Sequence, residues 1–379
     1  DWDESAAFKL GSAEIMAQYK TLAQQPGAVA RKDGDAAAAL TQAPKKIDAE
    51  YEFPFLAHAA MEAMNCVVQF KKGESCEVWN GEQMQTGDQF ALAKLFGLPP
   101  DKVKINMLYA GGSFGRRANP FADYLVEAGQ IAKALSTGPH AGKPIKMQWT
   151  REDDMRAGWY RPMYYHRVTA GLDAQGKPTA WQQRIVGQSI LTGTAMEALA
   201  VKNGIDGSSV EGAATLPYAI PNLTVDLHSP KLGVPVQWWR SVGATHTAFS
   251  TETMMDELAV AAGKDPVAFR VGLLAKHPRH KAALELAAQK SGWGKPLPAG
   301  KAGERRGRGI AVHESFGSYI AQVAEVTVKA DGSFHVDRVV CAVDCGIAVN
   351  PDQIRAQMEG GIGFGLAAAM HGAITLKDG

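Results

Sequence analysis

The sequence holds little cysteine, no long apolar run and almost no net charge, and each shortage closes off a class of function. Its 379 residues include four cysteines, Cys66, Cys76, Cys341 and Cys345. Cys341 and Cys345 are too far apart for a CxxC pair, and no histidine–cysteine cluster has zinc spacing, so no protein-ligated metal is expected. The cysteines read as reduced and buried. A formal charge of +1 argues against a nucleic-acid binder driven by bulk charge. No apolar stretch approaches the roughly 20 residues that span a bilayer. The longest candidate, residues 362–370, is short and broken by glycine. No charged-then-apolar leader pattern opens the chain, and no internal repeat is evident.

What is present is a globular composition, 46% hydrophobic and 21% charged, long enough for two or three domains. The most informative stretch is 104–135. Val103, Ile105, Met107 and Tyr109 alternate with Lys104, Asn106 and Leu108, which predicts a strand. Phe121, Tyr124, Leu125, Ala128, Ile131 and Leu135 recur at helical steps, with Asn119 as N-cap and Pro120 at the first helical position. Between them lies Gly111-Gly112-Ser113-Phe114-Gly115-Arg116-Arg117. Glycines let backbone N–H groups approach a ligand, a helix N-terminus favours an anion, and two arginines add forked donors. A bound phosphate or oxyanion is one reading, and a tight turn whose glycines serve geometry alone is the other. The loop is neither GxxxxGK[ST] nor GxGxxG, so neither a P-loop nor a dinucleotide fold is supported.

Along the chain, a helix is expected from Ser12, then an Ala/Gly/Asp-rich surface connection over 27–43. Strand hairpins are expected around 71–75, 173–176 and 331–332, and a helix over 88–96 closed by Gly97. Residues 151–154 read as a solvated helix start and 191–212 as a long loop; 235–241 brings Trp238, Trp239 and Arg240 together after a short strand. His58 beside Glu62 reads as a hydrogen-bonded structural histidine or a catalytic pair. Helices are expected over 246–262 and after Asp265-Pro266, a linker over 291–308, and a helix bearing Gln357 and Glu359 that leads into the glycines 360–365. Hairpins and helices without strict alternation predict an α+β fold with mixed sheets. The expected division is an opening segment and surface connection (1–45), a cofactor-binding domain (46–300) and a second such domain (301–379). The last residues stop inside what would be a turn, so a piece of a longer chain is expected.

Taken in order, these motifs resemble the molybdopterin-binding large subunit of the xanthine dehydrogenase/aldehyde oxidase family, in particular its isoquinoline 1-oxidoreductase branch. The matching pieces are 111–117, Trp238-Trp239-Arg240-Ser241-Val242-Gly243, Asp256-Glu257-Leu258-Ala259, Asp265-Pro266 with Arg270, 313–325 and 344–361. The resemblance implies a molybdenum hydroxylase that oxidises an N-heteroaromatic or aldehyde with oxygen from water. Its cofactor would be molybdenum on a molybdopterin cytosine dinucleotide, and its electrons would leave through [2Fe–2S] clusters on a small partner subunit. This chain has neither the cysteine count nor the spacing to hold such clusters.

The resemblance also implies residue roles. Gln83 would reach an oxygen of the metal centre, and Arg240 would stand beside the substrate. Gly112, Ser113, Phe114, Gly115 and Arg116 would form the cofactor loop, Arg270 would contact the pterin or its phosphate, and Gln357 would lie near the cofactor. Two motifs of the family are expected outside this stretch, a Met-Gly-Gln-Gly loop upstream and a Gly-Glu general base downstream. Gly73-Glu74, Gly81-Glu82 and Gly303-Glu304 are not convincing replacements for that base. Ala118 stands where xanthine-type members carry a glutamate, which argues against xanthine as substrate. The competing expectation is a noncatalytic scaffold or phosphate-binding remnant.

Overall fold

Residues 164–187 alternate strongly enough to build the middle of the largest sheet. The computed structural model describes residues 3–156 and 158–379. Tyr164–Leu172 and Pro178–Gly187 pair antiparallel across the turn at Asp173, whose carboxylate accepts from Gln175 and Lys177 N–H groups. Lys45–Phe53 joins one side antiparallel, Asn222–His228 the other side parallel, and Ala28–Asp33 closes that edge. Val168, Ala170, Trp181, Ile185, Leu223 and Val225 face one core with the helices Ala244–Ala261, Pro266–Leu273 and Pro278–Ser291. Each fully buried Val, Leu or Ile among them contributes about 1.5–3 kcal/mol. The antiparallel sheet Arg305–Ser315, Ser318–Val328, Phe334–Asp344 inserts Ile310, Val312, Ala321, Val323 and Ala342 into that same core.

A second core lies under a four-stranded sheet ordered Val103–Met107, Ser75–Asn80, Asn65–Lys71, Pro144–Gln148. The middle two strands alternate inside and outside, as a half-buried sheet requires. Cys66, Val68, Phe70, Cys76 and Val78 point at the helices Gln85–Phe96 and Asp123–Ala134. Gly97 ends the first of these helices in the left-handed conformation at φ +66°. All four cysteines are free; Cys66 and Cys76 are buried, Cys341 and Cys345 partly so. No helix of the described residues is long and apolar enough to cross a membrane.

The α+β expectation holds, while several local readings change. The 27–43 stretch is not a surface connection: Ala28–Asp33 is the sheet's edge strand, and Asp35 caps a helix, Ala36–Gln42. Short polar residues looked like a connection because an edge strand needs few apolar side chains. Asn119 does not cap the helix after the glycine loop. It accepts from Phe121 N, and the helix begins at Asp123, after Ala122 at φ +51°. The 191–212 loop is organised around buried Asp206, whose carboxylate takes Ser189 Oγ and the N–H groups of Ile190 and Ser208. Asp154, read as solvated, is buried and bonded to Arg151. The short strand expected ahead of Arg240 is a single bridge between Val236 and Tyr160. The linker is shorter than expected, because Arg305–Arg308 belong to a strand. The glycines 360–365 do not follow the last helix: it runs through them, Pro351–Met370, capped by Asn350.

Candidate functional site

Segments from five separate parts of the sequence wall one cavity of about 540 Å³. Gln83, Ser113, Phe114, Gly115, Arg240 and Gln357 line it, with Trp238, Trp239 and Phe316. Each is delivered by a local device. Gln83 sits exposed on the turn before the helix Gln85–Phe96, its N–H donating to Arg117 O at 3.4 Å. Phe114 and Gly115 take positive φ, +55° and +102°, which turns the loop back under the cavity. Gly115 is required there: a Cβ would lie 2.6 Å from the Trp238 carbonyl oxygen.

The Trp238–Val242 segment is held from both sides. His58 Nε2 bonds the Trp238 carbonyl at 2.8 Å, and Trp239 Nε1 donates to Ala57 O at 3.2 Å. Burial pushes the His58 imidazole down to about 3, so it stays neutral and structural. Buried Gln237 donates to the carbonyls of Gly115 and Arg116 and accepts from Asn119 Nδ2. Ser241 and Val242 then take φ +74° and +47°, strained values for side-chain-bearing residues that aim Arg240 sideways. Arg240 N donates to Phe114 O at 2.8 Å, tying the two segments together.

Arg240 is the single charged side chain among the described residues lining the cavity. Its Nη2 donates to the carbonyl and to Oε1 of Gln357, each at 3.1 Å. Gly360 and Gly361 leave room for that guanidinium; a Cβ on Gly361 would lie 3.4 Å from Nη2. Phe364 stacks on Phe114 at 4.4 Å and on Trp239 at 4.3 Å. A neighbouring chamber of about 690 Å³ shares Trp239, Arg240, Ser241 and Gln357, and adds Phe53, Phe249 and Met358.

Three expected site residues, Gly112, Arg116 and Arg270, do not line the cavity. Arg116 is buried, its two Nη atoms form a two-pronged pair with Asp123 at 3.2 and 2.6 Å, and it does not line the cavity. Arg117 donates to the carbonyls of Gly81 and Glu62. In this geometry the two arginines pin the loop from behind instead of lining the cavity. Arg270 is fully buried between Glu252 and Asp256, at 2.9 and 2.7 Å, and lines neither cavity. Gly112 shapes the loop against the Phe114 ring without lining the cavity. Sequence reading missed Phe364 and Gln237. The small residues around Phe364 were a signal for it; Gln237 carried none.

The donor set suits an organic cofactor with anionic oxygens. The cavity offers amides, backbone and one guanidinium, and no carboxylate to repel an anion. No group of three or more His, Cys, Asp or Glu among the described residues could hold a metal ion. A metal in this cavity would therefore have to be carried on its own ligand.

A mixed-sheet fold with such a cavity suits a cofactor-binding protein, and the sequence comparisons give its family. The molybdopterin cofactor-binding domain model matches residues 21–272, and a second model of that description matches 252–379. The chain belongs to this molybdopterin-binding family. It is 31% identical over 332 residues to the isoquinoline 1-oxidoreductase subunit beta of Brevundimonas diminuta, covering 87% of this chain and 41% of that protein. It is also 31% identical over 366 residues to a membrane-bound aldehyde dehydrogenase [pyrroloquinoline-quinone] of Gluconacetobacter polyoxogenes, covering 88% and 45%. Quinoline 2-oxidoreductase from Pseudomonas putida 86 shares the fold with a TM-score of 0.62 at 16% identity, covering 77% of this chain and 39% of that one. The chain thus spans less than half the length of these relatives.

Proposed function

We propose that this chain is part of the large subunit of a molybdenum hydroxylase acting on an N-heteroaromatic or aldehyde substrate. The observation that carries this is the convergence of Gln83, Phe114–Gly115, Arg240 and Gln357 on one carboxylate-free cavity. The cofactor in this reading is the cytosine dinucleotide form of molybdopterin, and when bound it supplies the redox centre and the activated oxygen. The Gln83 amide and the Ser113–Gly115 backbone hold and orient that group at the cavity floor. Arg240 stabilises negative charge that develops on the substrate's ring nitrogen or carbonyl oxygen, and its bond to Gln357 keeps the guanidinium in place. The aromatic side chains lining the cavity, Phe114, Trp238 and Trp239, favour a flat substrate. Electrons pass to a small [2Fe–2S] partner subunit, since this chain's cysteines are dispersed and partly or wholly buried.

The name of the Gluconacetobacter relative carries a quinone cofactor instead. Two family matches that together span 21–379 favour the pterin. Metal and cofactor analysis of the intact parent protein tests the reading. Molybdenum with a cytosine-containing pterin is expected; active enzyme without molybdenum, or with a quinone alone, would overturn it.

A further inference from the structure

A carboxyl pair is buried directly beneath the turn that carries Gln83. Glu82 precedes Gln83 in the chain, and Asp88 lies in the first turn of the helix Gln85–Phe96. Glu82 is 7% exposed, Asp88 2%, and Asn80 beside them 1%. After burial itself, the neighbouring Glu82 carboxyl is the strongest influence on that of Asp88. Yet Glu82 Oε1 and Asp88 Oδ2 each lack a donor. Asn80 Nδ2 is already spent on Glu82 Oε2 at 3.4 Å and on Tyr124 Oη at 2.9 Å. An ionised carboxylate only accepts. Two of them side by side, out of water and with one long donor contact between them, leave two like charges and two orphaned oxygens. A proton between them turns one acceptor into a donor and removes one of the charges.

We propose that Glu82 and Asp88 share one proton in a buried carboxyl–carboxylate hydrogen bond, and that this bond fixes Gln83 at the cavity. The second half rests on the function proposed above; the first does not. The residues between the two carboxyls are the turn itself. Asp88 N donates to Met84 O at 3.1 Å, and Gln83 N makes only the long contact to Arg117 O at 3.4 Å. The carboxyl bond therefore closes the turn from below.

The charged and titratable groups around the pair come from each packed element. The helix Asp123–Ala134 supplies Asp123 and Tyr124, the glycine loop Arg117, and the strand Asn65–Lys71 Cys66. Asp123 is paired with Arg116 at 2.6 Å, and Arg117 is held by the carbonyls of Gly81 and Glu62. Neither arginine is committed to the pair. Burial first, then the neighbouring Glu82 and Asp123, push the Asp88 carboxyl up to about 9. The folded-state value lies above the unfolded one. The bond's stabilisation is therefore full at low pH and is lost as pH rises through the folded-state value.

The test is infrared difference spectroscopy on the intact parent protein at neutral pH. Wild type should show a protonated carboxylic acid band that is absent from both Asp88→Asn and Glu82→Gln, and that bleaches in the alkaline range. An amide at either position can donate to the remaining carboxylate, so both variants should stay folded. If either does not, the double variant, whose two amides satisfy each other, supplies the difference spectrum. A wild-type spectrum without the band, or a band that survives in the variants, overturns the proposal. The positioning half is read separately. Above its transition wild type should lose kcat on the order of tenfold per pH unit, while Asp88→Asn should lack that limb. Variant and wild type with the same alkaline limb would overturn the positioning role and leave the shared proton standing.

Discussion

The guanidinium of Arg240 holds both the carbonyl and the side-chain oxygen of Gln357, at 3.1 Å each. An arginine from the sharp turn before one helix thus grips the middle of another, and does so at the cavity wall. Arg240→Lys keeps the charge and loses the planar fork. In the full enzyme turnover should fall by roughly 10²–10³, with molybdenum content near wild type. Full turnover in the variant, or loss of metal together with the fold, would make Arg240 structural.

Gly115→Ala should weaken the site at its floor. The added methyl meets the Trp238 carbonyl oxygen at 2.6 Å, in a backbone at φ +102°. A cost of roughly 1–3 kcal/mol is expected, together with lower cofactor occupancy. Gly363→Ala is the control, because a Cβ there has nothing within 4 Å. Relieved of helical glycine, it should gain about 0.5–1 kcal/mol. Chemical denaturation of the two variants gives the comparison; equal effects would contradict it.

Arg270→Met should destabilise by roughly 3–5 kcal/mol, because it strands buried Glu252. That carboxylate also takes Tyr218 Oη at 2.7 Å and Val312 N at 3.0 Å, so it cannot turn outward. Cofactor per folded molecule should be unchanged. Lost cofactor at normal stability would restore a direct role for Arg270 in binding.

Acid should unfold the protein early. His58 and His166 are fully buried and held down to about 3 by burial, and His246 lies well below the usual range for the same reason. Their unfolded values are near 6.5. Folded values below unfolded ones mean stability that is present above about pH 6.5 and lost as pH falls towards 3. Each histidine contributes up to about 1.4 kcal/mol per pH unit in that window. Thermal unfolding followed from pH 7 to 4 should show a steep decline; a flat profile would contradict neutral burial.

The strands and helices that alternate cleanly were legible in the sequence, as were Gln83, Phe114 and Arg240 through the motifs around them. What was not legible depended on where side chains turn. Arg116 and Arg270 look like anion ligands in sequence, but their carboxylate partners, Asp123 and Glu252, are 7 and 18 residues away and meet them only through helix packing. Asn119 looks like a cap, yet Ala122 in the left-handed region shifts the helix start past it. Gln237 lies in an irregular segment, so no periodicity marks it, and its role comes from two carbonyls about 120 residues upstream at 3.2 Å each.

Phe364 fills the space between Phe114 and Trp239, and it comes last of the three in order of synthesis. One ring of the last helix thus ties together two segments more than 120 residues apart, so any shift of that helix would break both stacks at once.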